Sequence, residues 1–382
     1  MVKELVKKID SLYPLERIEV SKKRLSNVWN RQYPTDRIPF VFGDYFSKLD
    51  NDFNWYSYYE ARYSKEKHLY YGLKLIENRS FVNDDYIPTI FPGCRQALIP
   101  SMFGAKERLR DYHYWVEPVI KNVKDINSIE FNKPTECQLF KDFVNRILFF
   151  KKNLKGSIIT IHMPDIQGPL DVASLLLGTE NLIMGMIDYP KEVHSLLEKI
   201  TSVLSETVDS FLDVSKGELI PFHAEPNVWI PQGPGFSFNE DLLAVLSPYL
   251  IEEFAIPYYN ILSKKYGGFF THSCGSFSQN LKNLLKIDGF IGINFQVTEQ
   301  NIYEILEIFG SKALLVCGWA DTVKYIDWSP EEHIRNSFKA VKKYRTPSII
   351  MIPAFFESEG FKNVGKDRLI ELNKLAIEMS KI

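Results

Sequence analysis

Eight short, nearly uninterrupted apolar runs alternate with longer stretches of helical periodicity, and this alternation constrains the fold more than any other feature. The runs cover residues 38–43, 86–91, 157–162, 219–223, 268–272, 289–294, 313–317 and 348–353. A strand covered on both faces has no solvent side, so it reads as a continuous apolar run rather than an alternation, as in parallel sheets. The intervening segments 190–212, 248–265, 330–344 and 369–380 carry apolar residues at helical spacing. Ser247-Pro248 and Ser329-Pro330 supply the N-cap and first-turn residues that start helices. Strands interleaved with helices predict an α/β protein, specifically a (β/α)8 TIM barrel with an N-terminal extension and long insertions in its βα loops. The competing fold is an open doubly wound sheet. It is disfavoured because no strand is followed by the glycine fingerprint of a dinucleotide site.

The spacing of the runs sets the expected domain plan. Residues 1–36 read as a helical extension and 37–382 as one barrel, with no interdomain linker and no internal repeat. Residues 93–156 form a long excursion, and 224–246 read as a Pro/Gly/aromatic loop. Loops of that length in a compact domain usually carry function. With 46 Lys+Arg against 48 Asp+Glu, the net charge is −2. Such a chain has no global attraction for nucleic acid or an anionic membrane. No apolar run is long enough to span a bilayer, and the first 20 residues lack a signal-peptide pattern. Four dispersed cysteines do not form a disulfide scaffold. A cytoplasmic protein with reduced thiols is therefore expected, and a homodimer is compatible with the sequence.

Catalytic groups of a barrel gather at the carboxyl ends of its strands. The letters there are polar: Asp44 after the first run, His162 with Asp165 and Gln167 after the third, and His223 with Glu225 after the fourth. His272 and Cys274 follow the fifth, Asn294 and Gln296 close the sixth, Cys317 with Trp319 and Asp321 closes the seventh, and Glu357 follows the eighth. His272 and Cys274 stand two residues apart, so on a strand they project to the same side, where an imidazole and a thiolate can hold zinc. Cys317 is a candidate to complete that site. His223 and Glu225 share a face as a candidate acid–base pair, with Asp44 as a further catalytic carboxylate. Asp165, Gln167, Trp229, Asn294, Gln296, Trp319 and Asp321 are candidate substrate-binding residues. His68, His113, His194 and His333 read as solvated surface groups.

Several motifs carry a resemblance. Asp165-Ile166-Gln167-Gly168-Pro169-Leu170-Asp171 is followed by Leu177-Gly178-Thr179-Glu180, Met186-Ile187-Asp188-Tyr189-Pro190, Leu246-Ser247-Pro248 and His272-Ser273-Cys274-Gly275. In that order they resemble the uroporphyrinogen decarboxylase superfamily, closest to its corrinoid-linked branch of the methylcobalamin:coenzyme M methyltransferase type. The resemblance covers residues 157–380 well and 37–156 loosely. It implies a (β/α)8 barrel, a zinc ion held by a His-x-Cys motif and a later Cys, and cobalamin carried by a separate corrinoid protein. His272 and Cys274 match the first two ligands. The later Cys is absent, because Ala354 stands in its region; Cys317 or Glu357 substitutes, or the site is incomplete. The arginine-rich motif that grips porphyrinogen carboxylates is also absent, since the matching segment reads Phe40-Val41-Phe42-Gly43-Asp44-Tyr45-Phe46. A substrate with eight carboxylates needs several cationic partners, so the expected substrate is smaller.

The expected reaction is methyl transfer between a methyl-corrinoid protein and a thiol, or a methoxylated or methylated small molecule. In the second case His223, Glu225 or Asp44 protonates the leaving oxygen. The alternatives are a metal-free decarboxylase or lyase using Asp44 and His272, and a non-catalytic barrel that binds a small ligand.

Overall fold

A computed structural model describes residues 2–43, 60, 63–93, 95–110, 113–220, 228–233, 235–318, 328–352 and 365–382. Parallel strands dominate it. All eight expected runs contain a strand: β1 Phe40–Phe42, β2 Thr89–Ile90, β5 Thr160–His162, β6 Leu219–Ile220, β8 Phe269–His272, β9 Phe290–Gln296, β10 Leu314–Gly318 and β11 Ser348–Ile352. Two elements were not expected. One is the antiparallel hairpin of β3 Glu107–Arg110 and β4 His113–Val116 within the 93–156 excursion. The other is β7 Phe236–Asn239, which corrects the reading of 224–246 as loop. β7 pairs in parallel with β8, putting Phe238 beside Thr271 and Asn239 beside His272. Gly235 makes this approach possible: its φ is +94° and an added Cβ would lie 2.6 Å from the Gly268 backbone.

The strands run in the order β7-β8-β9-β10-β11-β1, with a second sheet in the order β2-β5-β6. Backbone hydrogen bonds link the two sheets at two places, one of them between β7 and the segment that follows β5. At one, Gln167 bridges Asn239, with Gly168 N–H donating to Asn239 O over 2.7 Å. At the other, Asp85 N–H donates to Phe40 O over 2.9 Å. This is the α/β architecture of the TIM barrel, with helices packed outside the strands.

The β1 seam is finished by side chains. The Asp85 carboxylate accepts Phe40 N–H at 3.2 Å, and the Asp84 carboxylate accepts Phe42 N–H at 2.9 Å. Both acids are buried and face arginines: Arg24 and Arg37 on Asp85, Arg17 and Arg79 on Asp84. Helices Val2–Leu12 and Leu15–Trp29 form the beginning of the chain. The second sends Trp29 edge-on against Phe270, with ring centroids 5.0 Å apart.

The helical expectations hold with small changes. Pro330–Tyr344 matches as read, Pro190 opens a helix running to Ser215, and the last helix is Lys366–Ser380. The 248–265 segment is instead two helices, Pro248–Phe254 and Ile256–Tyr266. Pro257 has no N–H to continue the ladder across Ala255. His333 corrects the surface reading of the helical histidines. It is fully buried, and its Nε2 lies 2.9 Å from Met351 O. Burial pushes its pKa down to about 4. Among the described residues, no single helix is long and apolar enough to cross a membrane.

Candidate functional site

Register decides which residues meet. Parallel partners project to the same side of a sheet and neighbours along a strand to opposite sides. Phe238 packs on Tyr259 of helix Ile256–Tyr266, with centroids 5.2 Å apart, so its face of β7 is the helix-covered one. The next residue, Asn239, therefore faces the barrel lumen. Its ladder partners carry the lumen row onward through His272 on β8 and Asn294 on β9. Gln167 joins the row on the other side of Asn239.

His272 is held in one tautomer. Asn294 Nδ2 donates to Val316 O at 2.9 Å, which turns Asn294 Oδ1 toward His272. His272 Nδ1 is hydrogen-bonded to that oxygen, so Nδ1 carries the proton and Nε2 presents its lone pair. Cys274 Sγ lies 3.1 Å from Nε2. Asp241, absent from the sequence reading, completes the group. Its Oδ1 accepts Cys274 N–H at 2.8 Å. Ligand atoms of Asp241, His272 and Cys274 all lie within 4.8 Å of one another, with Asp241 and Cys274 exposed and His272 half-buried. Nitrogen, sulfur and oxygen donors around one point suit a divalent cation of the zinc class, and exposure leaves a further position for a ligand. The Asn294–His272 contact is the outer support that metal-binding histidines characteristically have.

The loop bearing Asp241 is clasped from below. Glu240 accepts Asp171 N–H at 2.7 Å and Leu170 N–H at 3.3 Å. Asp171 in turn accepts Asp241 N–H at 2.9 Å and Leu242 N–H at 3.1 Å. Tyr259 Oη donates to Glu240 at 2.7 Å. Both acids are buried. Burial pushes Asp171 up to about 6, and burial with the adjacent Asp171 charge pushes Glu240 well above the carboxylate range. Both shifts favour the protonated form over two facing carboxylates.

Beside the donor group, Asp165 is buried and accepts Asn239 Nδ2 at 2.8 Å and Gln167 Nε2 at 3.3 Å. Asp165, Gln167, His272, Cys274 and Asn294 are thus brought to one end of the lumen. Gln296, two residues beyond Asn294, shares its face.

Two readings are corrected. Cys317 does not join His272: its neighbour Val316 is the ladder partner of Asn294, so Cys317 faces the helices, fully buried. Burial pushes its thiol up, the opposite of what a thiolate ligand needs. Trp229 sits against the N-terminal helix, where its carbonyl accepts Trp29 Nε1 at 3.2 Å and Lys22 Nζ lies 5.9 Å from its ring centre. It therefore packs with the extension rather than with the His272 group. Asp44, His223, Glu225, Trp319, Asp321 and Glu357 lie outside the described residues. Asp241 and Asn239 were missed because both depend on β7. The available signal was the run Phe236-Ser237-Phe238-Asn239, apolar and polar in alternation.

The family described as uroporphyrinogen decarboxylase (URO-D) matches residues 21–217. Among solved structures, a methyltransferase from Methanosarcina mazei superposes with a TM-score of 0.64 at 13% identity, covering 94% of this chain and 97% of that one. No curated protein matches the chain by sequence.

Proposed function

We propose a function from one premise: the chain belongs to the uroporphyrinogen decarboxylase family. Within it, the best-supported reading is a zinc-assisted methyltransferase that moves a methyl group from a corrinoid protein to a thiol. The observation that carries it is the convergence of His272 Nε2, Cys274 Sγ and Asp241 at the carboxyl end of β8. The shared fold with the Methanosarcina mazei methyltransferase supports the same reading. Asp241 would supply the third ligand.

Zinc at this point would favour the thiolate form of an incoming thiol at neutral pH. The chain's own residues do the rest. Asn294 keeps the proton on His272 Nδ1, so Nε2 stays a donor. Cys274 N–H engages Asp241 Oδ1, which leaves Oδ2 for coordination. The exposed side of the group admits both a thiol and the partner's methyl-cobalt. The thiol would give its proton to solvent and take the methyl group as the S–C bond formed and the Co–C bond broke, both electrons of the latter staying with the partner's corrinoid.

Elemental analysis tests this directly. About one zinc per chain is expected, absent from Cys274→Ala and reduced in Asp241→Ala. Asn294→Leu should weaken zinc binding by about 10–100-fold, the usual cost of losing an outer-sphere partner. Free methylcobalamin with 2-mercaptoethanol should show thiol-dependent demethylation. Zinc retained at full stoichiometry in Cys274→Ala would sink the assignment.

A further inference from the structure

The lumen beside His272 carries two amide oxygens that nothing satisfies among the described residues. Asn239 Oδ1 and Gln296 Oε1 are buried and have no hydrogen-bond partner among the described residues. The orientation of Asn239 is fixed: its Nδ2 is committed to the Asp165 carboxylate, so its oxygen must face the other way. Asn239 is the β7 ladder partner of His272, and Gln296 stands two residues past Asn294, the β9 partner of His272. The two oxygens thus flank His272 on the lumen face. Gly318 is the β10 partner of Gln296, and its own position is close-packed. A Cβ there would lie 3.9 Å from Gln296 Cγ and 3.2 Å from Phe295 O.

A buried acceptor without a donor is costly, and two of them beside a candidate site point to a ligand that brings donors. Asp165 adds to this. Its negative charge accepts the amide protons of both Asn239 and Gln167, which polarises those amides and enriches their oxygens.

We propose that Asn239 and Gln296 form a tail-recognition subsite whose ligand carries N–H or O–H donors, with a protonated amine fitting better than any anion. The inference rests on the methyltransferase reading above, because the thiol acceptor is the molecule whose tail would lie there. It deepens that reading by naming the acceptor class: a short thiol ending in an ammonium or hydroxyl group, rather than a sulfonate or carboxylate.

The test uses matched two- and three-carbon probes with the zinc-loaded full chain. Calorimetry should rank 2-aminoethanethiol first, 2-mercaptoethanol next, and 2-mercaptoethanesulfonate and 3-mercaptopropionate last, with about tenfold or more between the ammonium and the anions. Gln296→Leu should erase that ranking while zinc stoichiometry stays unchanged. Metal-free protein gives an independent arm: ligand-observed NMR should detect propylamine and not propanesulfonate, and Gln296→Leu should abolish the propylamine signal. Anionic thiols that bind as tightly as the ammonium, a ranking that survives Gln296→Leu, or no binding of any probe would each overturn the subsite. Loss of zinc binding with the propylamine preference intact would overturn the metal reading and leave the subsite standing.

Discussion

Asp84 with Asp85, and Asp171 with Glu240, are two pairs of buried acids that do the same mechanical work on different sides of the barrel. Each pair accepts backbone N–H groups where a strand ladder is interrupted. They differ in how their charge is managed. The first pair faces four arginines, Arg17, Arg24, Arg37 and Arg79. The second touches Tyr259 and backbone only, among its described contacts, and burial pushes both acids toward the protonated form. Even with Arg37 and Arg24 opposing it, burial still raises Asp85. A buried ion pair therefore does not escape its desolvation cost. The comparison separates a seam faced by arginines from a clasp that burial pushes toward protonation.

Three measurements sharpen or break that contrast. The largest effect is expected at the ionic seam, where Asp85→Asn leaves Arg24 and Arg37 short of a buried counter-charge. A loss of about 3 kcal/mol in urea unfolding is expected; a loss below about 1 kcal/mol would make the seam no different from the clasp. Next comes His333, a buried group managed by staying neutral. Its folded pKa, about 4, lies below the ordinary histidine value of 6.5, so its contribution is complete above 6.5 and is lost as pH falls toward 4. In His333→Gln the stability curve should flatten across that window by up to about 3 kcal/mol. Parallel curves for both proteins would show that His333 does not titrate this way. The smallest effect belongs to Glu240→Gln, which mimics the protonated clasp and should change stability at pH 7 by less than about 1 kcal/mol. A loss as large as that of Asp85→Asn would mean that the clasp is ionic as well.

The eight principal strands were legible because a strand buried on both sides has to be apolar throughout. β7 was not, since four residues between Gly235 and Glu240 carry too little pattern to stand out from a loop. The candidate site divides on the same line. His272 and Cys274 could be paired from letters alone, because two residues on one strand need no register to share a side. Cys317 could not be placed, since a shift of one residue in register reverses the face of every side chain on a strand. Only the alignment of Val316 with Asn294 settles that it looks outward. Asp241 was invisible because it lies beyond an unrecognised strand, and its position is set by Asp171, some 70 residues earlier in the chain.

The reciprocal clasp has a consequence for how such a barrel can be recombined. Segment 170–171 gives its amide protons to Glu240, and segment 241–242 gives its own to Asp171. Neither loop is a self-contained cassette. A chimera that swaps one of them from a relative inherits half of a handshake, so the two loops should transplant only as a matched set.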